Sequence, residues 1–147
     1  MEFVKATKDL FTKEINFLLE IDRETIGQPW TIENFLYEAP QKWETSYLLY
    51  DSGILCGFCV CSLNEMTLHI HRIAISNTYR SRGYGSRFLK FIFEKANNFN
   101  CEFVTLKVSV NNERACNLYK QLGLKIVSAD DQNYLMRLYL PDNSINK

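Results

Sequence analysis

Apolar and polar positions change period several times along the chain, and each change marks an element. Phe3 and Lys5 alternate within Met1–Thr7, the pattern of a short strand. From Asp9 the period lengthens. Phe11, Ile15, Leu18 and Leu19 fall at i, i+4, i+7 and i+8, which predicts an amphipathic helix to about Ile26, broken by Gly27-Gln28-Pro29. Thr31 is placed to cap a short helix with Phe35 and Leu36 inward, ending near Ala39-Pro40. Tyr47–Tyr50 and Ile54–Leu63 then read as a hairpin about Asp51-Ser52-Gly53, and Asn64-Glu65 turns the chain into a further strand, Thr67–Ser76. Helical spacing returns with Tyr84, Phe88, Phe91, Ile92 and Ala96. Phe103–Val110 is rich in Val and Thr, a strand. Asn112 caps a helix whose inner face is Ala115, Leu118, Tyr119 and Leu122, with Gly123 behind it. Leu124–Val127 and Tyr134–Leu140 close the chain as a hairpin across Asp130-Asp131-Gln132. The order β-α-α-β-β-β-α-β-α-β-β predicts an α/β chain of the α+β type, a mixed, mostly antiparallel sheet with helices on both faces.

The 147 residues are one domain's worth, expected as a single domain over 1–140 with a polar tail over 141–147. Hydrophobic residues at 46% and charged residues at 23% exclude a disordered chain. Seventeen basic and seventeen acidic residues cancel, so general attraction to nucleic acid or to an anionic membrane is not expected, and any basic site is local. The N-terminus has no basic stretch followed by an apolar run, and nothing approaches ~18 apolar residues in a row, so no leader or membrane span is expected. Five cysteines then read as thiols in a reducing cytoplasm. Cys56 and Cys59 lie three apart on a strand, which places them on opposite faces by strict alternation and argues against a shared metal. No metal is expected.

The segment with the most chemistry is Arg80-Ser81-Arg82-Gly83-Tyr84-Gly85-Ser86, between a strand and a long helix. A helix N-terminus presents unpaired N–H groups to a phosphate, glycines allow close approach, and the arginines add charge. It is not a P-loop, which needs Gly-Lys-Ser/Thr at its end. Nor is it a dinucleotide fingerprint, since Phe88 stands where the third small residue belongs. A solvated basic turn is the plainer reading of these residues.

Arg80-x-x-Gly83-x-Gly85, the preceding Arg72-Ile73-Ala74-Ile75, and the later Leu106-x-Val108, Asn112, Ala115, Leu118-Tyr119 and Gly123 together resemble the GNAT superfamily of acetyl-CoA-dependent N-acetyltransferases over nearly the whole chain. The resemblance implies that backbone groups of Ile73 and Ile75 pair with the pantetheine arm of acetyl-CoA, that Arg80, Ser81, Arg82, Gly83, Tyr84, Gly85 and Ser86 hold its pyrophosphate, and that Asn112 contacts the pantetheine. It implies that Tyr119 protonates the departing thiolate, although a core tyrosine would occupy the same helix face, and that a backbone N–H near Ile75 steadies the oxyanion.

His69 and His71, the only histidines, are two apart on a strand and share a face, and a neutral imidazole accepts a proton. The arrangement resembles that of serotonin N-acetyltransferase, which makes the pair candidate bases. Two packed strand histidines are the alternative, and Glu65 is a weaker base candidate. Within the superfamily, Pro29-Trp30-Thr31-x-x-x-Phe35 is similar to the ribosomal-protein alanine N-acetyltransferase group, where such a segment helps form the acceptor side; Trp30 could equally anchor the core. Two features depart from that group. Lys107 stands where it has an acidic or histidine base, and Ser128–Asn133 is a shorter connection. An α-amine, with pKa near 8, is neutral far more often at pH 7 than a lysine amine. The expected acceptor is therefore a protein or peptide N-terminus. A small-molecule amine is the alternative, as is a catalytically idle acyl-CoA-binding module. A monomer or homodimer is expected.

Overall fold

The computed structural model describes residues 1–25 and 27–141. The predicted end of the first helix at Ile26 and nearly all of the predicted tail lie outside the described residues. Seven strands, β1 (Glu2–Lys5), β2 (Tyr47–Asp51), β3 (Ile54–Asn64), β4 (Thr67–Ile75), β5 (Phe103–Ser109), β6 (Lys125–Ala129) and β7 (Asn133–Tyr139), form one sheet in the order β1-β2-β3-β4-β5-β7-β6. All neighbours are antiparallel except β4 and β5. That one parallel pair is what the crossover through a helix demands.

The predicted first helix is two helices, α1 (Lys8–Lys13) and α2 (Ile15–Arg23), joined at Glu14. Thr7 caps α1 by accepting the Leu10 N–H (3.0 Å). Thr31 caps α3 (Ile32–Leu36) in a reciprocal arrangement with Asn34. A short helix that the spacing does not announce, α4 (Lys42–Thr45), leads into β2. Its Lys42 is buried. The ammonium donates to the Phe35 and Tyr37 carbonyls (2.6 and 2.5 Å), the unpaired C-terminal end of α3, and burial pulls its pKa down to about 8. The long α5 (Tyr84–Asn98) and α6 (Glu113–Gln121) complete the chain; Asn112 caps α6 by accepting the Ala115 N–H.

The sheet separates two apolar layers. On one face Phe58, Val60 and Ala74 pack against Phe11, Leu18, Ile21 and Phe35 of α1–α3. On the other, Cys59, Cys61, Leu68, Ile70, Val104 and Leu106 pack against Phe88, Leu89 and Ile92 of α5 and Cys116 and Tyr119 of α6. Three register shifts break strict alternation, one of them at Val127 of β6. The pairing of β3 with β2 skips Cys56, so Cys56 joins Cys59 and Cys61 in the α5/α6 layer, which corrects the opposite-face expectation. All five cysteines are buried free thiols. The second bulge skips His71 of β4.

Candidate active site

The parallel pairing of β4 with β5 covers only Thr67–Ile70 against Phe103–Leu106. Beyond Ile70 the two strands part, and the gap opens to a cleft on each face of the sheet. The cleft on the α5/α6 face encloses about 630 Å³ between Ile73, Ala74 and Ile75 of β4, the Tyr79–Ser86 loop and α6. The cleft on the α2 face encloses about 580 Å³ between His71–Ile73, Leu106–Ser109, the residues Thr25, Gly27 and Gln28 that follow α2, and the turn at Asp131–Asn133. Thr25, Ile73, Asn112 and Tyr119 line both, so they stand at the junction.

The first cleft suits a long ligand with an anionic end. Ser76 N–H pairs with Cys56 of β3, so by the two-residue period Ala74 also faces β3. Ile73 and Ile75 turn their backbone groups the other way, into the gap. The first bond within α5 runs from Arg87 N–H to the Gly83 carbonyl, leaving the N–H groups of Tyr84, Gly85 and Ser86 without intrahelical partners at the mouth of the cleft. Gly83 carries φ of +78° as the α5 cap, where a side chain would be strained. Ser81, also left-handed at φ +63°, accepts a hydrogen bond from Arg114 of α6 (3.0 Å) across the mouth.

The two arginines of this loop play different parts. Arg80 donates to the Ile75 carbonyl (3.2 Å) and the Glu24 carbonyl (2.9 Å), tying the end of β4 to the end of α2. Arg82 is exposed, with its guanidinium over the Tyr79 ring, and does not line the cleft. Tyr84 donates to Asp51 (2.6 Å).

Gly85 differs from Gly83. A Cβ there would meet Leu118 and Ile75 at 3.8 and 3.9 Å, ordinary contact distances. Gly85→Ala is therefore expected to leave the melting temperature unchanged or slightly raised, since alanine favours a helix. The added methyl occupies the cleft, and affinity for the anionic ligand held there is expected to fall about tenfold, ~1.4 kcal/mol. Calorimetric titration beside a thermal melt separates the two effects.

Tyr119 reaches the junction from α6. It is buried, and among the described residues its hydroxyl has no hydrogen-bond partner. Burial, with Cys59 and Cys116 nearby, pushes its pKa well up, so the phenol is neutral and holds its proton.

The histidines come from the opposite face. His71 lines the second cleft, and its Nε2 meets Ser62 Oγ at 2.7 Å. His69 lines neither cleft. Its Nδ1 meets Thr105 Oγ1 at 2.8 Å, and its ring stands edge-on to His71 with centroids 4.7 Å apart. The expectation that they share a face holds. The bulge redirects the next two residues, placing Arg72 on the histidines' side and returning Ile73 to the α5/α6 layer. Desolvation lowers both pKa values, with the other histidine and Lys107 acting on His69, which sits at about 4, and Lys42 acting on His71. Both imidazoles are therefore neutral at pH 7. Glu65 sits exposed in the turn before β4 and lines neither cleft. Trp30 packs edge-on against Phe35 (5.0 Å) and also lines neither.

Sequence reasoning missed the tether that shapes the second cleft. Asp22 of α2 is buried, and its two oxygens accept from Arg72 Nε (2.7 Å) and from Trp30 N–H (2.7 Å). Arg72 also donates to Thr25 Oγ1 (3.0 Å) and the Gln28 carbonyl (3.1 Å). One ion pair thus holds both ends of the loop that walls the cleft. Asp22 and Arg72 lie 50 residues apart, so no local pattern announces the pair. Among the described residues no three His, Cys, Asp or Glu side chains gather as metal ligands.

Comparison with known proteins bears on the whole of this architecture. A profile of the acetyltransferase (GNAT) family matches residues 15–124. A putative [ribosomal protein bS18]-alanine N-acetyltransferase of Bacillus subtilis (strain 168) is 26% identical over 126 residues, 85% of this chain and 83% of that protein. The crystal structure of the ribosomal-protein-S18-alanine N-acetyltransferase from Escherichia coli superposes with a TM-score of 0.82 over 97% of both chains at 16% identity. A NatC complex structure bound to Gag peptide and CoA has a chain that superposes with a TM-score of 0.77, over 96% of this chain and 100% of that one, at 21% identity.

Proposed function

The chain belongs to the acetyltransferase (GNAT) family and is an acetyl-CoA-dependent N-acetyltransferase, and on that premise we propose that its acceptor is a protein or peptide N-terminal α-amine. The observation that carries the reading is the pair of clefts meeting at Tyr119 and Ile73. A donor on one face of the sheet and an acceptor on the other reach each other through the gap between β4 and β5. The relative whose name specifies an alanine N-terminus, and the similar structure holding both a peptide and CoA, support the same acceptor class.

The first cleft fits acetyl-CoA, which supplies an acetyl group activated as a thioester. The N–H groups of Tyr84, Gly85 and Ser86, with Ser81 and Gly83 shaping the loop, hold the pyrophosphate. Arg80 keeps that loop in place against β4. The edge of β4 left open at Ile73 and at the Ile75 N–H pairs with the pantetheine as an added strand would, the Ile75 carbonyl being held by Arg80, and Asn112 contacts it from the α6 side.

The amine attacks the thioester carbonyl directly, forming the C–N bond as the C–S bond breaks. A backbone N–H near Ile75 steadies the developing oxyanion. His71 takes the amine's proton, directly or through a water, while His69 packs edge-on behind it and orients its ring. Tyr119 gives its proton to the departing sulfur. Five cysteines left as thiols support a cytoplasmic setting.

The test offers acetyl-CoA with peptides bearing Ala, Ser or Met N-termini, an N-blocked lysine peptide, spermidine and tryptamine, and reads acceptor masses. Acetylated peptide N-termini are the expected product. Labelled spermidine or tryptamine alone would replace the reading with a small-amine transferase. With a working peptide, kcat is expected to fall on the acid side only below the ordinary histidine pKa of ~6.5, because His71 is held neutral. In His71→Ala that limb should vanish and kcat should drop by roughly 10²-fold or more. An unaltered pH–rate profile would remove His71 from the mechanism.

A further inference from the structure

The sheet face that carries the histidines is covered by helices only over its first half. α2 and α4 pack over β3, and α2 continues over β4. Past β5 the same face lies open: Lys107 and Arg137 are exposed, every residue of β6 is exposed, and Tyr139 keeps 65% of its surface. Register fixes which side chains share it. Thr105 bonds His69, so Thr105 and, two residues on, Lys107 face the histidine side. Arg137 stands directly opposite Thr105, and Lys125 directly opposite Arg137. Lys107, Arg137 and Lys125 therefore form a basic strip that begins inside the acceptor cleft and runs outward over β7 to β6.

Charge pairing within the sheet does not account for this strip. Like charges directly opposite on paired strands destabilise a sheet. None of the three cations has a carboxylate within 4 Å among the described residues, where the ion pairs are Met1–Asp51, Lys8–Glu38 and Arg72–Asp22. Arg137 lies over the Phe103 ring instead (4.5 Å). The two carboxylates of the β6–β7 turn lie beyond ion-pair distance of the strip: Asp130 spends Oδ1 on the Gln132 and Asn133 N–H groups and feels the Lys107 charge, and Asp131 lines the cleft near Lys107. Three cations against the two turn carboxylates leave an excess of positive charge on this open face, and it grows outward along Arg137 and Lys125, which suits an anion from outside.

We propose that the acceptor is an N-terminus followed by an acidic stretch, whose first carboxylate is held by Lys107 at the cleft and whose later ones lie along Arg137 and Lys125. The proposal rests on the acetyltransferase reading and adds the acceptor's charge to it. Lys107 faces the same cleft as His71, so a carboxylate within one or two residues of the amine reaches it while the amine is at the gap. A polyamine brings a second cation to this lysine and is disfavoured. Three cations continuous with a cleft for a single amine match a short peptide segment, rather than the longer phosphate track of a nucleic acid.

The experiment compares three peptides with the same N-terminal residue and with Glu, Gln or Lys at the next three positions. The expected kcat/KM order is Glu over Gln over Lys, with Glu at least tenfold over Lys at low salt and the ratio shrinking as salt rises. The double variant Lys107→Glu/Arg137→Glu is expected to invert the order while keeping acetyl-CoA affinity, which reports the fold. The milder Lys107→Gln is expected to reduce the preference. Equal rates for the three peptides, or a preference that survives the charge reversal, would overturn the proposal. So would an RNA oligonucleotide that binds the strip more tightly than the acidic peptide. If no peptide is acetylated at all, the peptide-acceptor reading fails first, and this one with it.

Discussion

Tyr119→Phe is expected to lower turnover by roughly 10²–10⁴-fold while leaving the fold and acetyl-CoA affinity intact. The substitution removes one hydroxyl, and that hydroxyl carries no hydrogen bond among the described residues, so the folded state loses no partner. Its place at the meeting of the two clefts gives it something to do only when a leaving group arrives. The acid must be protonated at working pH, and burial secures that by raising its pKa. A thiolate with pKa ~8.5 in water is a poorer base than phenolate. In the same dry gap, however, the thiolate loses hydration too, so its affinity for the proton rises alongside the phenol's. The check is a kinetic one with an identified acceptor: kcat falls, acetyl-CoA affinity and melting temperature do not. Unchanged turnover in the phenylalanine variant would return Tyr119 to the core.

The second large effect is expected at Asp22. Asp22→Ala leaves Arg72, itself only partly exposed, without its partner and orphans the Trp30 N–H, which costs about 3–5 kcal/mol for a pair of this kind. For a chain of this size that is a fall of roughly 10 °C in melting temperature. The ion pair also walls the acceptor cleft, so function separates from stability. Measured below the melting transition, KM for the acceptor should rise while acetyl-CoA affinity stays, because Asp22 and Arg72 line no part of the donor cleft. Asp22→Asn keeps an oxygen for the Trp30 N–H and should fall between the two. A uniform loss of affinity for both substrates would mean that the tether supports the fold alone.

Elements set by neighbouring residues were legible in the sequence. The caps at Thr31 and Asn112, the left-handed glycine behind α6, the two-glycine turn before α5 and the placement of Tyr119 on the inner face of α6 all come from local hydrogen bonding and period. What escaped was set by pairing across the sheet. The bulges at Cys56 and His71 have no local signature, yet one moves a thiol to the other layer and the other places Arg72 beside the histidines. Sequence spacing treated His69 and His71 as equivalents. The structure separates them, because one faces the cleft and the other faces Thr105 of the neighbouring strand. Lys107 looked like a base lost; taken with Arg137 and Lys125 it belongs to a surface, which only register reveals.

The parting of β4 from β5 after four paired residues also governs traffic. On the proposed assignment of the two clefts, each substrate has its own doorway, on opposite sides of one sheet. An acetylated chain would then back out past Gly27 and Gln28 without disturbing what lies along α5, and a spent donor would leave past Ser81 without crossing the acceptor. Under that assignment the donor sets no limit on the acceptor's size, and a folded protein with a free end would be as admissible a client as a short peptide.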